Sequence, residues 1–273
     1  MFALSRWPIA LIPTMRLTLL LPLAALALVT SCGMPRAGLD LRLMDLDVDG
    51  DIFVTQGAAT SSADVESLGL QKDSGTFSPR ADFEWGGFHV SASQSSTDHS
   101  GSGTVDSTLE YNGIMISSGE NVQTDFDLGL TNVLMTWDLI PSDMFELGIG
   151  FGAMLMDLDA NIMSTDNPGN NIDLDEQIPI PLLVGRAGIE VAGFDLEGVL
   201  GGLSVNVDGD EATVLDLDVT LSYELIDIGG SVYGSILVGY RSFDIDVQYD
   251  DDDGAVDFDS SFSGPYFGIN ISL

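Results

Sequence analysis

From Leu215 onwards, Leu215, Leu217, Val219, Leu221, Tyr223 and Leu225 share one parity, while Asp216, Asp218, Thr220, Ser222 and Glu224 share the other. A period of two is that of a β-strand with one apolar and one polar face. The alternation recurs at Phe145, Leu147, Ile149 and Phe151 against Glu146, Gly148, Gly150 and Gly152. It recurs again at Leu183, Ala187, Ile189 and Val191, and at Phe243, Ile245, Val247 and Tyr249. No sustained stripe at the helical period follows the first thirty or so residues, so the pattern predicts an all-β fold.

Parity slips between Leu130 and Val133 and between Tyr240 and Phe243. Each slip predicts a β-bulge of the kind that bends strands towards closure into a barrel. Tight turns are predicted at Trp85–Phe88, Ile140–Phe145, Val191–Phe194 and Asp227–Ser231. Longer Gly/Ser/Asp-rich connections alternate with them, at 57–75, 95–123, 164–176, 208–212 and 250–255. Short and long ends on opposite sides characterise transmembrane barrels. The expectation is an antiparallel up-and-down transmembrane β-barrel of about ten strands, eight and twelve being the neighbouring counts, with both chain ends on the tight-turn side.

Aromatic residues support that orientation. Trp85, Phe88, Trp137, Phe145, Phe194 and Tyr233 lie near tight turns, where an interfacial girdle would sit. Tyr240, Phe243, Tyr249, Phe258 and Phe262 are candidates for the opposite girdle. The final alternation of Phe267, Ile269, Ile271 and Leu273 reads as a closing strand. The mature segment resembles the small bacterial outer-membrane barrels that include OmpA-like and OmpW-like proteins, although its last residue is Leu where that superfamily usually ends in an aromatic. The resemblance implies a bacterial outer-membrane location.

The first residues change the picture at one point. Arg6 and Arg16 precede an apolar run from about Leu17, which ends at Val29, Thr30, Ser31 and Cys32, the single cysteine of the chain. This is the layout of a secretory leader, too short in its apolar part for a spanning helix. Met15 is a second candidate start. The four residues Val29 to Cys32 resemble a bacterial lipobox, which implies acylation of Cys32 after cleavage, an acyl anchor, and, with Gly33 next, sorting to the outer membrane. The expected division is a signal peptide over 1–31, an acylated linker over 32–42 and the barrel over 43–273, with the N-terminus periplasmic. One cysteine also excludes an intramolecular disulfide framework.

Forty-three acids against eight Lys and Arg give a formal charge of −35, two units more negative once Arg6 and Arg16 leave with the leader. Such a chain repels nucleic acid and attracts inorganic cations. With 45% hydrophobic residues it is nevertheless too apolar to be a disordered acidic tail. The acids are expected on the lumen face and at the extracellular mouth, with Asp157, Asp159, Asp216, Asp218, Asp244 and Asp246 forming a cation-attracting ring. Arg80, Arg186 and Arg241 share strand parity with acids and, with Glu190, are candidates for ion pairs inside the lumen. Gly148, Gly150 and Gly152 would leave room there for side chains from the far wall.

Chemical motifs are sparse. Asp45, Asp47, Asp49 and Asp51 open like a calcium loop, but position twelve is Gln56, so a weak Ca²⁺ site competes with a polar strand face. No catalytic residues are assigned. His89 lies on a polar face, and His99 beside Asp98 among serines is the only hydrolase-like neighbourhood. The expected function is therefore a structural barrel or a small cation-preferring pore. A lipid-tethered soluble barrel enclosing a hydrophobic small molecule is the alternative, and an outer-membrane hydrolase is a weaker one.

Overall fold

The computed structural model describes residues 35–56, 59–64, 74–106, 108–111, 114–140, 142, 144–207, 210–251 and 254–273. The leader, Cys32, and the side chains of Asp51, Tyr249 and Phe258 lie outside them. Ten long strands form the wall: β1 (Arg36–Gln56), β3 (Ser74–Trp85), β4 (Phe88–Thr104), β7 (Asn121–Asp138), β8 (Phe145–Ser164), β9 (Asn171–Val191), β10 (Phe194–Val207), β11 (Asp210–Ile228), β12 (Val232–Asp251) and β13 (Gly254–Ser272). Each pairs antiparallel with its neighbour, and β13 returns to β1 to close the barrel. Three short strands complete the fold: β2 (Ala59–Asp64) beside β1, and the hairpin β5 (Leu109–Tyr111) and β6 (Ile114–Ile116) between β4 and β7.

Closure joins the two described ends, where Ala37 and Leu273 exchange backbone hydrogen bonds of 3.2 and 2.8 Å. Both ends thus lie with the tight turns. One of these turns, Ala192–Gly193, has φ of 53° and 80°. Two successive left-handed residues give the type I′ hairpin that matches strand twist. Because β1 begins at Arg36, residues 36–42 of the expected linker are barrel wall. Their alternation of Leu39, Leu41 and Leu43 with Asp40, Arg42 and Met44 is the strand signal that assignment overlooked.

The strands are up to 21 residues long, about twice the 9–11 residues a bilayer-crossing strand needs. Their two halves differ. Towards the tight turns, apolar side chains point outward, including Ile149, Phe151, Leu183 (69% exposed), Val238 and Phe267. Towards the long loops the order inverts. There Leu128, Leu130, Met154, Met156, Phe243, Ile245 and Phe262 point inward and form one buried cluster. Outside them stand Asp125, Asp127, Asp157 and Asp159.

This inversion corrects the reading of the parity slips. Pairing of β7 with β8 runs unbroken through Leu130–Val133, and that of β12 with β13 through Tyr240–Phe243. The strands do not bulge there; the side that must be apolar changes. The bulge recorded on β11 falls between Glu224 and Ile226, near a turn. Phe243 and Phe262 accordingly belong to the interior, not to an outer girdle, whereas Trp137, Phe145, Phe194 and Tyr240 do face outward. Phe88, Trp137 and Phe151 pack successively at centroid distances of 5.1 and 5.6 Å.

Two of the expected long connections shrink, because β11 starts at Asp210 and β13 at Gly254. Likewise β4 continues through the Ser/Gly-rich stretch to Thr104. The β5–β6 hairpin places Val105, Leu109 and Ile116 against Val122 and Ile172, the inward residues at the loop ends of β7 and β9. Glu120 secures the base of this cap by accepting hydrogen bonds from Ser164 Oγ (2.5 Å) and Asn167 Nδ2 (3.4 Å), and the Ser164 bond holds its carboxyl below the ordinary range.

Candidate functional site

In the tight-turn half the inward positions are polar and carry most of the arginines. Arg42 binds Asp40 Oδ2 through Nε (3.1 Å) and Nη2 (2.5 Å), and Asp218 Oδ2 through Nη1 (2.7 Å). Its guanidinium stands 5.0 Å from the Tyr266 ring centroid. The Tyr266 hydroxyl donates to Asp218 Oδ1 at 2.5 Å, and Asn270 donates to Asp40 Oδ1 at 2.6 Å. Arg80 holds Asp82 and Glu197 at 2.8 Å each. Arg186 holds Glu197 and Glu146 at 2.6 Å each. Arg241 forms a two-pronged pair with Asp216 at 3.0 and 2.9 Å, and Asn132 donates to the same carboxylate at 2.9 Å.

These bonds form a web that crosses the lumen and ties strands far apart in sequence. Charges removed from water need partners of this quality to be tolerated. The expectation of lumen ion pairs thus locates Arg80, Arg186 and Arg241, with a change of partner. Arg186 does not bind Glu190. Four residues along a strand separate the two by about 13 Å, whereas Glu197 and Glu146 lie one step diagonally across the neighbouring strands. Arg42, Asp40, Glu197 and Tyr266 were missed. Alternation around Arg42 was the available signal; Glu197 and Tyr266 required the barrel register.

The expected acidic ring divides. Asp216 and Asp218 face the lumen and belong to the web. Asp157, Asp159, Asp244 and Asp246 stand on the outer side of the wall, because the even face of β8 and the odd face of β12 carry the interior. The loop half of the lumen is apolar, not acidic. On the outside, Asp98, Asp127, Asp159 and Asp175 fall directly opposite one another on four adjacent strands. Asp127 is raised above the usual carboxylate range by desolvation, then by the hydrogen bond and charge of Asp98, with Asp159 and Asp125 adding to it.

Asp45, Asp47 and Asp49 lie within the continuous strand β1 rather than in a loop. Side chains two apart on a strand are about 7 Å apart and parallel, so they do not converge on one cation. No group of three potential metal ligands occurs among the described residues. His99 points into the barrel beside Phe126, and Asp98 points outward, so the strand separates the two. His89 Nε2 and Asp138 Oδ2 are 3.0 Å apart. Gly150 does not make room for the far wall: a Cβ there would strike the backbone of Met135 and Thr136 on the adjacent strand.

Below the apolar cluster, at the tight-turn end, lies a cavity of about 410 Å³. Its roof includes Leu134, Val184, Val199 and Leu237, and its walls include the arginine web and Glu190, Asp195 and Glu224. A void of about 20 Å³ beside Asn132, Asp216 and Arg241 is of the size of a single water site.

An outward apolar band, a polar lumen inside it and a closed antiparallel wall define a β-barrel of the outer-membrane type. Among solved structures, the outer-membrane protease OmpT of Escherichia coli aligns with 87% of this chain and 97% of its own, at TM-score 0.54 and 7% identity. The β-domain of the Bordetella autotransporter BrkA matches over 86% and 99% at 12% identity and TM-score 0.31. The toluene transporter TodX of Pseudomonas putida matches over 87% and 89% at 11% identity and TM-score 0.27. At these identities the likeness to OmpT is one of fold. No protein-family model matches the chain, and no curated protein matches it either.

Proposed function

We propose that this chain is a structural outer-membrane barrel lipoprotein whose wall stands well clear of the bilayer and whose lumen is closed to ions. The observation that carries the reading is the inversion of the apolar face halfway along the strands. An outward apolar band suits lipid, and an outward acidic wall above it suits water. The same inversion disfavours the soluble alternative, whose apolar face would point inward along its whole length. The tight turns and both described ends then face the periplasm, where an acyl chain on Cys32 would enter the inner leaflet of the outer membrane.

Two layers stand in the way of conduction. The arginine web crosses the lower lumen, and the cluster around Met154, Phe243 and Phe262 fills the upper one beneath the β5–β6 cap. Inorganic cations gather on the outer acidic rows rather than pass between them. In planar bilayers the purified protein is expected to give no stable conductance under a salt gradient. A steady current with a cation-selective reversal potential would replace the closed barrel with the small pore. Fatty-acid labelling in a host that processes lipoproteins tests the anchor: label is expected in the parent and absent from Cys32→Ala, and equal labelling of both would remove it.

A further inference from the structure

We propose that the loop-end edge of β9 is a docking site at which an extended segment of a basic polypeptide adds as a further strand. The ladder of β9 with β8 reaches the loop end of both strands, at Met163 and Asn171. Its ladder with β10 is shorter and ends at Leu183 and Gly202. Pro181 and Pro179 follow towards the loop end, and neither has an N–H to give, which accounts for the stop. Both keep their places opposite Ala153 and Leu155 in the β8 ladder. A proline does so only where its missing N–H would point to the other side. Odd-numbered residues of β9 therefore turn their backbone groups towards β10.

Above the prolines that side is open. Continuing the register sets Val207, where β10 ends, level with Ile178, so Asn171 to Gln177 reach beyond the neighbouring strand. Among the described residues no strand pairs with them there, and the backbone groups of Asp173, Asp175 and Gln177 meet no backbone partner on that side. A row of unpaired N–H and C=O groups, on a strand held firmly by its other neighbour, is a template for strand addition.

The side chains along the edge select the occupant. Asp173 and Asp175 point outward, with Asp159 and Asp157 beside them on β8 opposite Asp175 and Gln177. On the inner side Ile172 is buried and Leu174 half-buried. An added strand alternates in the same way, so a complementary one carries Lys or Arg outward and apolar side chains inward beside Leu174. A second copy of this chain does not fit. Two such edges paired with their inner faces on one side would set aspartate directly against aspartate, which is destabilising. The acids thus guard the edge against self-association and admit a basic partner.

The test is a fluorescence-anisotropy titration of the full chain in detergent, at physiological salt, with a labelled, end-blocked peptide of alternating Lys and Val long enough to span Asn171 to Gln177. In detergent the edge is offered however the barrel sits in a membrane, so the result is read separately from conductance and acylation. Saturable binding is expected for this peptide. It is expected to be lost when alternate peptide nitrogens on the β9-facing side are N-methylated, and absent for a Glu/Val peptide. Gln177→Pro removes one edge N–H at the parity that already accepts Pro179 and Pro181, and should weaken binding about three- to tenfold. Asp173→Asn/Asp175→Asn should weaken it by a similar factor, the order that two exposed ion pairs contribute. Asp45→Asn/Asp49→Asn, the same charge change on β1, should leave it unchanged. Should Gln177→Pro not fold, the parent and N-methylated peptides on the unaltered protein make the same distinction. No binding of the parent peptide, equal binding of the N-methylated one, binding indifferent to Gln177→Pro, or an equal loss with the β1 variant would overturn the site.

Discussion

Changing Arg241 to Met would leave Asp216 buried without its two-pronged partner, with only Asn132 still donating to it. Removing one member of a buried pair typically costs about 3–5 kcal/mol, most of it from the stranded charge. Denaturant unfolding of Arg241→Met should show a loss of that order. Arg241→Met/Asp216→Leu should recover much of it, and equal losses in both would mean that the pair is not buried as found. The outer aspartate row behaves differently. Asp127 has a folded-state pKa raised by desolvation and by Asp98. Its protonated form is therefore favoured in the folded state, and the associated stability is present at acid pH and lost as pH rises through the raised value. Melting temperature followed against pH should fall more steeply over that window in the parent than in Asp127→Asn. Parallel curves would show that the row does not share protons.

The same contrast between inner and outer positions governs whole strands. Alternation in Leu215–Leu225 and Phe145–Phe151 was sufficient to place those segments, their polarity and, with the tight turns, the number of strands. It was least informative where the outward face becomes polar. There Ser95 to Thr104 reads as loop because serine and glycine carry no apolar signal, although the backbone ladder with β7 continues to Thr104. Arg80, Arg186 and Arg241 could be assigned to the lumen by parity alone. Their partners could not, since these depend on which residues of neighbouring strands stand level. The side taken by Asp157, Asp159, Asp244 and Asp246 was hidden for a further reason: a change in which face must be apolar looks in sequence like an inserted residue. At the loop end, the short hairpin buries Ile116 completely against Val122 and Ile172. Ile116→Ala should cost about 2–5 kcal/mol as a buried truncation. Hydrogen exchange should quicken at 105–122 while the lower strands keep their protection; unchanged exchange would mean the cap does not seal the mouth.

For the molecule as a whole, the account joins a lipid-facing band, a charged web inside it, an apolar filling above and an acidic exterior around that filling. Each follows from moving a single closed wall out of lipid and into water, which exchanges the solvent on one face and so the residues suited to both. The most direct test follows one outward face across the boundary. Single cysteines would be placed at Leu147, Ile149, Phe151, Leu155, Asp157 and Asp159 of β8 in a Cys32→Ala background. The protein, reconstituted in lipid vesicles, would then be treated with a water-soluble thiol reagent. The account predicts protection at Leu147, Ile149 and Phe151 and rapid labelling at Asp157 and Asp159, with the change falling near Leu155. Uniform labelling along the strand, or protection at the aspartates together with labelling at Ile149, would contradict it.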